Sequence, residues 1–142
     1  DELDAVLGMN AVSGDNLSPH HMPSAHSILE NEGMNPSYGA CSNVMTDTHK
    51  NTFTYGMNNR TRRYDMALYE SLSYEDRLVF DQYDLQRVYA ESRPNVDMDI
   101  VKSKLKEEYD MAMGMREVKE SLTLEGEQDM RNIEEMKEEG CR

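Results

Sequence analysis

The chain has 142 residues, the size of one ordinary domain, and carries 28 acidic against 15 basic side chains for a net charge of −13. That balance argues against general nucleic-acid binding, which depends on Lys and Arg to neutralise phosphates. No run approaches the roughly 20 apolar residues of a membrane span, and no secretory h-region is present.

Leu, Ile, Val and Phe supply only about 17% of the chain, a level at which burial barely offsets the entropy of ordering. Twelve methionines and eight tyrosines partly fill the gap. Met adapts to irregular surfaces and Tyr combines contact area with a wet end, so both suit shared interfaces. Cys41 and Cys141 form neither a disulfide framework nor a CxxC pair, which fits a reducing intracellular compartment. A start on Asp1 reads as a processed, trimmed or partial terminus. Loss of a mitochondrial or plastid transit peptide, or of a viral propeptide in a virion protein, would each give it.

Residues 1–60 hold three of the four prolines, all four histidines and many Asn and Ser, with Lys50 and Arg60 as the only Lys or Arg. Periodicity is confined to "DELDAVLGMN", where Leu3, Val6 and Leu7 share a helical face before Gly8. A helix this short does not stand alone in water. The segment therefore predicts an extended arm, disordered when free, that orders on a partner.

Residues 61–142 predict the helical part, with an all-α fold of two to three helices over about 63–92, 98–122 and 123–139, the last two continuous or separated near Gly126. In "TRRYDMALYESL", Tyr64, Leu68 and Leu72 recur at i, i+4 and i+8. Ser73 reads as an N-cap with Glu75 and Asp76 in the first turn. In "SYEDRLVFDQYDLQRVYAES", Leu78, Leu85 and Tyr89 form one stripe. Val79 and Tyr83 form a second, and Phe80 and Val88 fill further sides. A helix apolar around most of its girth is normally buried.

Pro94 breaks that helix, and Asp97 or Asp99 is placed to cap the next, whose stripe runs through Val101, Leu105, Ala112, Met115 and Leu122 with Glu108 interrupting it. Met130, Ile133 and Met136 make only a thin final stripe. An antiparallel pair buries one face of each helix, which leaves apolar surface on 73–92 for another chain.

Few constellations carry chemistry. His20, His21, His26, Cys41 and His49 have metal-ligand chemistry, but no second donor pair recurs at a zinc spacing. Cys41 with a histidine could form a nucleophile–base set, with no motif around it. "DMDIVKSKLKEE" lacks the alternating ligands and central Gly of a calcium loop. "RTRR" reads as a solvated basic knot, and "NRT" at Asn59 as a chance glycosylation triplet. No glycine loop cradles phosphate. A helix ending in an Arg-rich turn, a Pro break and then an acidic helix, over about 64–120, are similar in outline to the small matrix-side helical subunit of mitochondrial ubiquinol–cytochrome c reductase. That family's Leu-Pro segments are absent, and no assignment is made from the likeness.

The sequence thus predicts a non-catalytic accessory subunit of a larger assembly, with a peripheral place on an organellar membrane energy-converting complex as one setting. It needs no metal or cofactor. Partner subunits would contact Leu3, Val6, Leu7, Leu78, Phe80, Tyr83, Leu85 and Tyr89, with aromatic anchors dominating. The alternative is a free acidic regulator that occupies a basic site on its target.

Overall fold

A computed structural model describes residues 2–10, 16–55 and 63–121, and gives backbone alone at 10, 63–65 and 118–121. Among the described residues there are three strands and five α-helices, in the order β1 (Ala5–Leu7), β2 (Leu17–His21), α1 (Ala25–Glu32), β3 (Ala40–Met45), α2 (Thr46–His49), α3 (Arg63–Ser71), α4 (Tyr74–Ser92) and α5 (Met98–Ser121). The strands form one antiparallel sheet in the order β1-β3-β2. The all-α expectation is therefore wrong, and the N-terminal segment is not an irregular arm. It folds into a sheet that packs on the helices in an α+β core.

The sheet follows from position more than propensity. β3, "ACSNVM", is central, so Ala40, Cys41, Ser42 and Val44 are all buried whatever their polarity. Val6 pairs with Cys41 on one side, and His21 pairs with the same Cys41 on the other. β2 is an edge strand, which is why it tolerates Pro19 despite the missing N–H.

The sheet leans on the antiparallel α4–α5 pair. Leu3, Met22, Ala40 and Val44 meet Leu78, Leu85, Tyr89, Val101, Leu105 and Ala112 in one apolar cluster. Ser73 caps α4, accepting from the Asp76 N–H at 3.1 Å. Asp97 starts α5, its Oδ1 accepting from the Asp99 N–H at 3.0 Å. Polar clasps bind β1 to the helices: Tyr89 donates its hydroxyl to Glu2 at 2.8 Å, and Lys104 Nζ sits 2.6 Å from Asp4 Oδ1. A smaller cluster of Ile28, Met34 and Tyr74 seats α1 beside Met113 and Met115 of α5. The expected helix over 123–139 lies outside the described residues. No described helix is long and apolar enough to cross a membrane.

Candidate functional site

β2 ends in His20 and His21, the chain returns along β3, and α2 follows at once. That hairpin-and-helix path carries His49 back over β2. Thr46 fixes the crossing, with its hydroxyl 2.9 Å from Ser18 Oγ and its N–H donating to Asn16 O at 3.0 Å. The rings of His20 and His49 then lie 5.1 Å apart at 61°, and Tyr55 packs edge-on to His49 at 5.1 Å. Together with His21, Ser24 and His26 they line a cavity of about 410 Å³.

Burial sets the charge state. His20 is 2% exposed, and its Nε2, sealed from solvent, has no hydrogen-bond partner. Burial first, and then the neighbouring imidazoles of His49 and His21, hold its pKa well below the ordinary value. Burial, reinforced by His21, takes His49 down to about 4. Both rings are therefore uncharged near neutrality, and each keeps a basic nitrogen. His21 is anchored differently, with its Nε2–H donating to Pro36 O at 2.8 Å.

The cavity wall is braced from behind. Ser24 caps α1, its Oγ accepting from the Ser27 N–H at 3.2 Å. The Ser24 N–H donates to Tyr69 Oη at 3.0 Å, and the Tyr69 hydroxyl donates to Asp81 Oδ2 at 2.6 Å. Behind His49, the Thr52 hydroxyl donates to His49 O at 2.7 Å, and the Phe53 N–H donates to Asp84 Oδ2 of α4 at 2.7 Å. Gly39 faces the same region. A Cβ there would stand 2.5 Å from Ile28 Cδ1 and 3.1 Å from the His21 ring, so the residue must stay small.

Cys41 is fully buried with its thiol directed at Gly39 O, 3.7 Å away, and does not line the cavity. Among the described residues no three His, Cys, Asp or Glu side chains converge to hold a metal ion. The five residues with metal-ligand chemistry in the sequence therefore separate into a histidine set and a buried thiol. What the sequence concealed was the pairing of His49 with His20. The only textual signal was a polar His-His strand followed by a small-residue strand and another histidine.

The residues expected to meet a partner divide in two. Leu3, Leu78, Leu85 and Tyr89 are at most 5% exposed and lie in the chain's own core. Val6 and Leu7 are half-buried in β1. Phe80 and Tyr83 remain at the surface, 37% and 68% exposed. With Leu68, Leu72, Phe53 and Tyr69 they line an apolar groove of about 550 Å³ beside the Asp84–Arg87 ion pair. Phe80 packs edge-on against Phe53 at 5.0 Å and Tyr69 at 5.6 Å.

Comparison with protein-family models, curated proteins and solved structures found no match to this chain.

Proposed function

We propose that the chain is a hydrolase that cleaves an ester bond in the histidine cavity by general-base catalysis. The observation that carries this reading is the approach of His20 and His49 over one concavity, with both rings uncharged. Core histidines normally satisfy their ring nitrogens. A buried imidazole with an unpartnered nitrogen beside a second imidazole is the arrangement expected of a proton-handling site.

Ser24 Oγ is occupied as a helix cap and Cys41 is turned away, so water is the nucleophile. Its oxygen attacks the ester centre as His49 takes its proton. The bond to the leaving alcohol breaks, and the proton passes from the imidazolium to that alcohol. General acid–base catalysis of this kind contributes about 10²–10⁴-fold.

The test is release of nitrophenolate from nitrophenyl acetate, nitrophenyl phosphate and bis(nitrophenyl) phosphate. At least one should turn over, and His49→Ala should reduce the rate at least ~100-fold without loss of fold. Background rates on all three, or an undiminished His49→Ala enzyme, overturn the assignment.

A second reading keeps the partner-binding role, favoured by one observation: Leu68, Phe80 and Tyr83 expose a continuous apolar face beside a groove. In that reading the chain is a non-catalytic subunit that docks on other proteins through α3 and α4. Its association would tolerate salt, whereas an acidic regulator bound to a basic site would be released, because exposed charges are screened within about 8–10 Å at 0.1–0.15 M. Co-purification of a Phe80→Ala, Tyr83→Ala double variant with its complex at the wild-type yield argues against it.

A further inference from the structure

We infer that the groove beside α3 and α4 receives a basic amphipathic helix of a partner protein, whose apolar face fills it and whose Lys and Arg side chains meet the carboxylates on its rim. The inference rests on the docking reading of α3 and α4, names the chemistry of the partner, and is independent of the histidine cavity.

Among the described residues five large apolar side chains stand well exposed, and three of them, Leu68, Phe80 and Tyr83, line this one groove. Single exposed apolar side chains are ordinary, whereas a cluster of them around one concavity marks a binding surface. The groove is held in shape by its own wall. Phe53, Tyr69 and Phe80 meet one another at ring separations of 5.0 to 6.1 Å, and the Phe53 N–H is tied to Asp84 Oδ2. A wall fixed in this way has little freedom left to lose on binding. The volume of about 550 Å³ takes the few bulky side chains of one helix face.

The backbone of the walls selects the form of the occupant. Leu68, Phe80 and Tyr83 all project from helices, whose N–H and C=O groups are largely spent on their own helical bonds. An extended peptide pressed here would find no ladder to join and would bury its own amides unpaired. A helix brings its amides already paired and lays residues at i, i+3, i+4 and i+7 into the groove.

The rim selects the charge. Asp76 is exposed and lies one turn before Phe80 on the same face of α4. Asp84 and Arg87 line the groove, and Glu91 follows one turn later. Arg87 is the only cation among the described lining residues, and its charge is already taken. Its Nη2 sits 2.9 Å from Asp84 Oδ1 and its Nη1 3.0 Å from Glu91 Oε2. Three carboxylates against one doubly paired guanidinium leave the rim acidic, the same sign as the chain's net charge of −13. Complementary charge speeds encounter and rejects the wrong partner, while the apolar contacts supply most of the hold. An acidic helix is repelled, and so is a second copy of this chain, which brings another −13.

The experiment displays a library of helical peptides about 18 residues long, enough to hold a helix, and selects on the full chain. A Leu68→Ala, Tyr83→Ala double variant serves as counter-selection; both side chains are more than half exposed, so it should melt as the wild type does. Binders should be amphipathic, with Lys or Arg beside the apolar face. A synthetic copy of one should bind the wild-type chain saturably in fluorescence anisotropy and the double variant at least ~30-fold more weakly. Asp76→Asn combined with Glu91→Gln should weaken it about fivefold at low salt. Neutral or acidic binders, or an affinity indifferent to the rim substitutions, overturn the charge assignment and leave the docking reading standing. Extended binders, or none that the counter-selection removes, overturn the helix. A dimer that the double variant dissolves seats a second copy in the groove, and nuclear Overhauser contacts of Tyr83 with residues 122–142 seat the chain's own tail there. Either result overturns a partner helix. The docking reading fails separately, by co-purification of the Phe80→Ala, Tyr83→Ala variant with its complex at the wild-type yield.

Discussion

The Tyr69 hydroxyl stands between two elements that share no backbone pairing: it donates to Asp81 Oδ2 on α4 at 2.6 Å and accepts the Ser24 N–H at the start of α1 at 3.0 Å. All three residues are buried. Tyr69→Phe removes that hydroxyl and leaves a buried acceptor and a buried donor without partners. The expected loss is about 1–3 kcal/mol, read from urea unfolding. Because Ser24 forms part of the cavity wall, the variant should also shift the imidazole resonances of His49. A Tyr69→Phe protein with wild-type stability would show that the bridge is dispensable.

Asp81 and Glu108 are fully buried carboxyls. Burial raises both well above their ordinary values; the Tyr69 hydrogen bond opposes this at Asp81 and that of Gln82 at Glu108. Each group binds its proton more tightly folded than unfolded. Its stabilisation is therefore complete below the unfolded value and is lost as pH rises toward the raised folded one. Glu108→Gln, which keeps the shape and drops the ionisation, should stabilise the protein more at pH 8 than at pH 5, as read from urea unfolding at the two pH values. Equal effects at the two pH values would contradict the assignment of a neutral acid at this position.

His20 and His49 pull the other way. Their folded values lie below the ordinary 6.5, His49 at about 4, so the unfolded chain takes up protons first on acidification. Their stabilisation is present above about 6.5 and is lost as pH falls toward 4. Denaturant midpoints should therefore fall between pH 6.5 and 4, and His49→Gln should flatten that limb. A slope unchanged by the substitution would place the acid sensitivity elsewhere.

Leu85 and Tyr83 lie two positions apart on α4 and test its two sides. Leu85 is fully buried and Tyr83 is 68% exposed. Leu85→Ala should cost about 2–5 kcal/mol, whereas Tyr83→Ala should stay within about 0.5 kcal/mol. Similar losses from both, measured by thermal melting of the isolated chain, would mean that the groove face is packed in solution.

The helices were legible because their signals are local: the Ser73 cap, the break at Pro94 and the stripe through Leu78, Leu85 and Tyr89 all stand where the text put them. The sheet was not. β1 has three residues, β2 contains a proline and two histidines, and β3 buries Ser42 as completely as Val44. Alternation, the usual mark of a strand, vanishes when a strand is central and enclosed on both faces. The expectation that α4 leaves Leu78, Leu85 and Tyr89 for another chain does not hold, because all three are buried in this chain's own core. The cover of α4 comes from its own chain, chiefly from α5, with Leu3, Met22, Ala40 and Val44 closing the shared core and Phe53 and Tyr69 meeting Phe80. The histidine site was half legible. The residue types were on the page, while the contact of His49 with His20 depends on the strand pairing that the pattern concealed.

The strap after His49 is moored to α4 by the Phe53 amide on Asp84, whose other oxygen holds Arg87. A four-residue helix has too few contacts to keep an imidazole in register by itself. The reach of the site along the gene is therefore wider than its cavity. A saturation-mutagenesis map should score Asp84 among the sensitive positions, though its carboxylate meets no substrate and lies on a different element from every histidine.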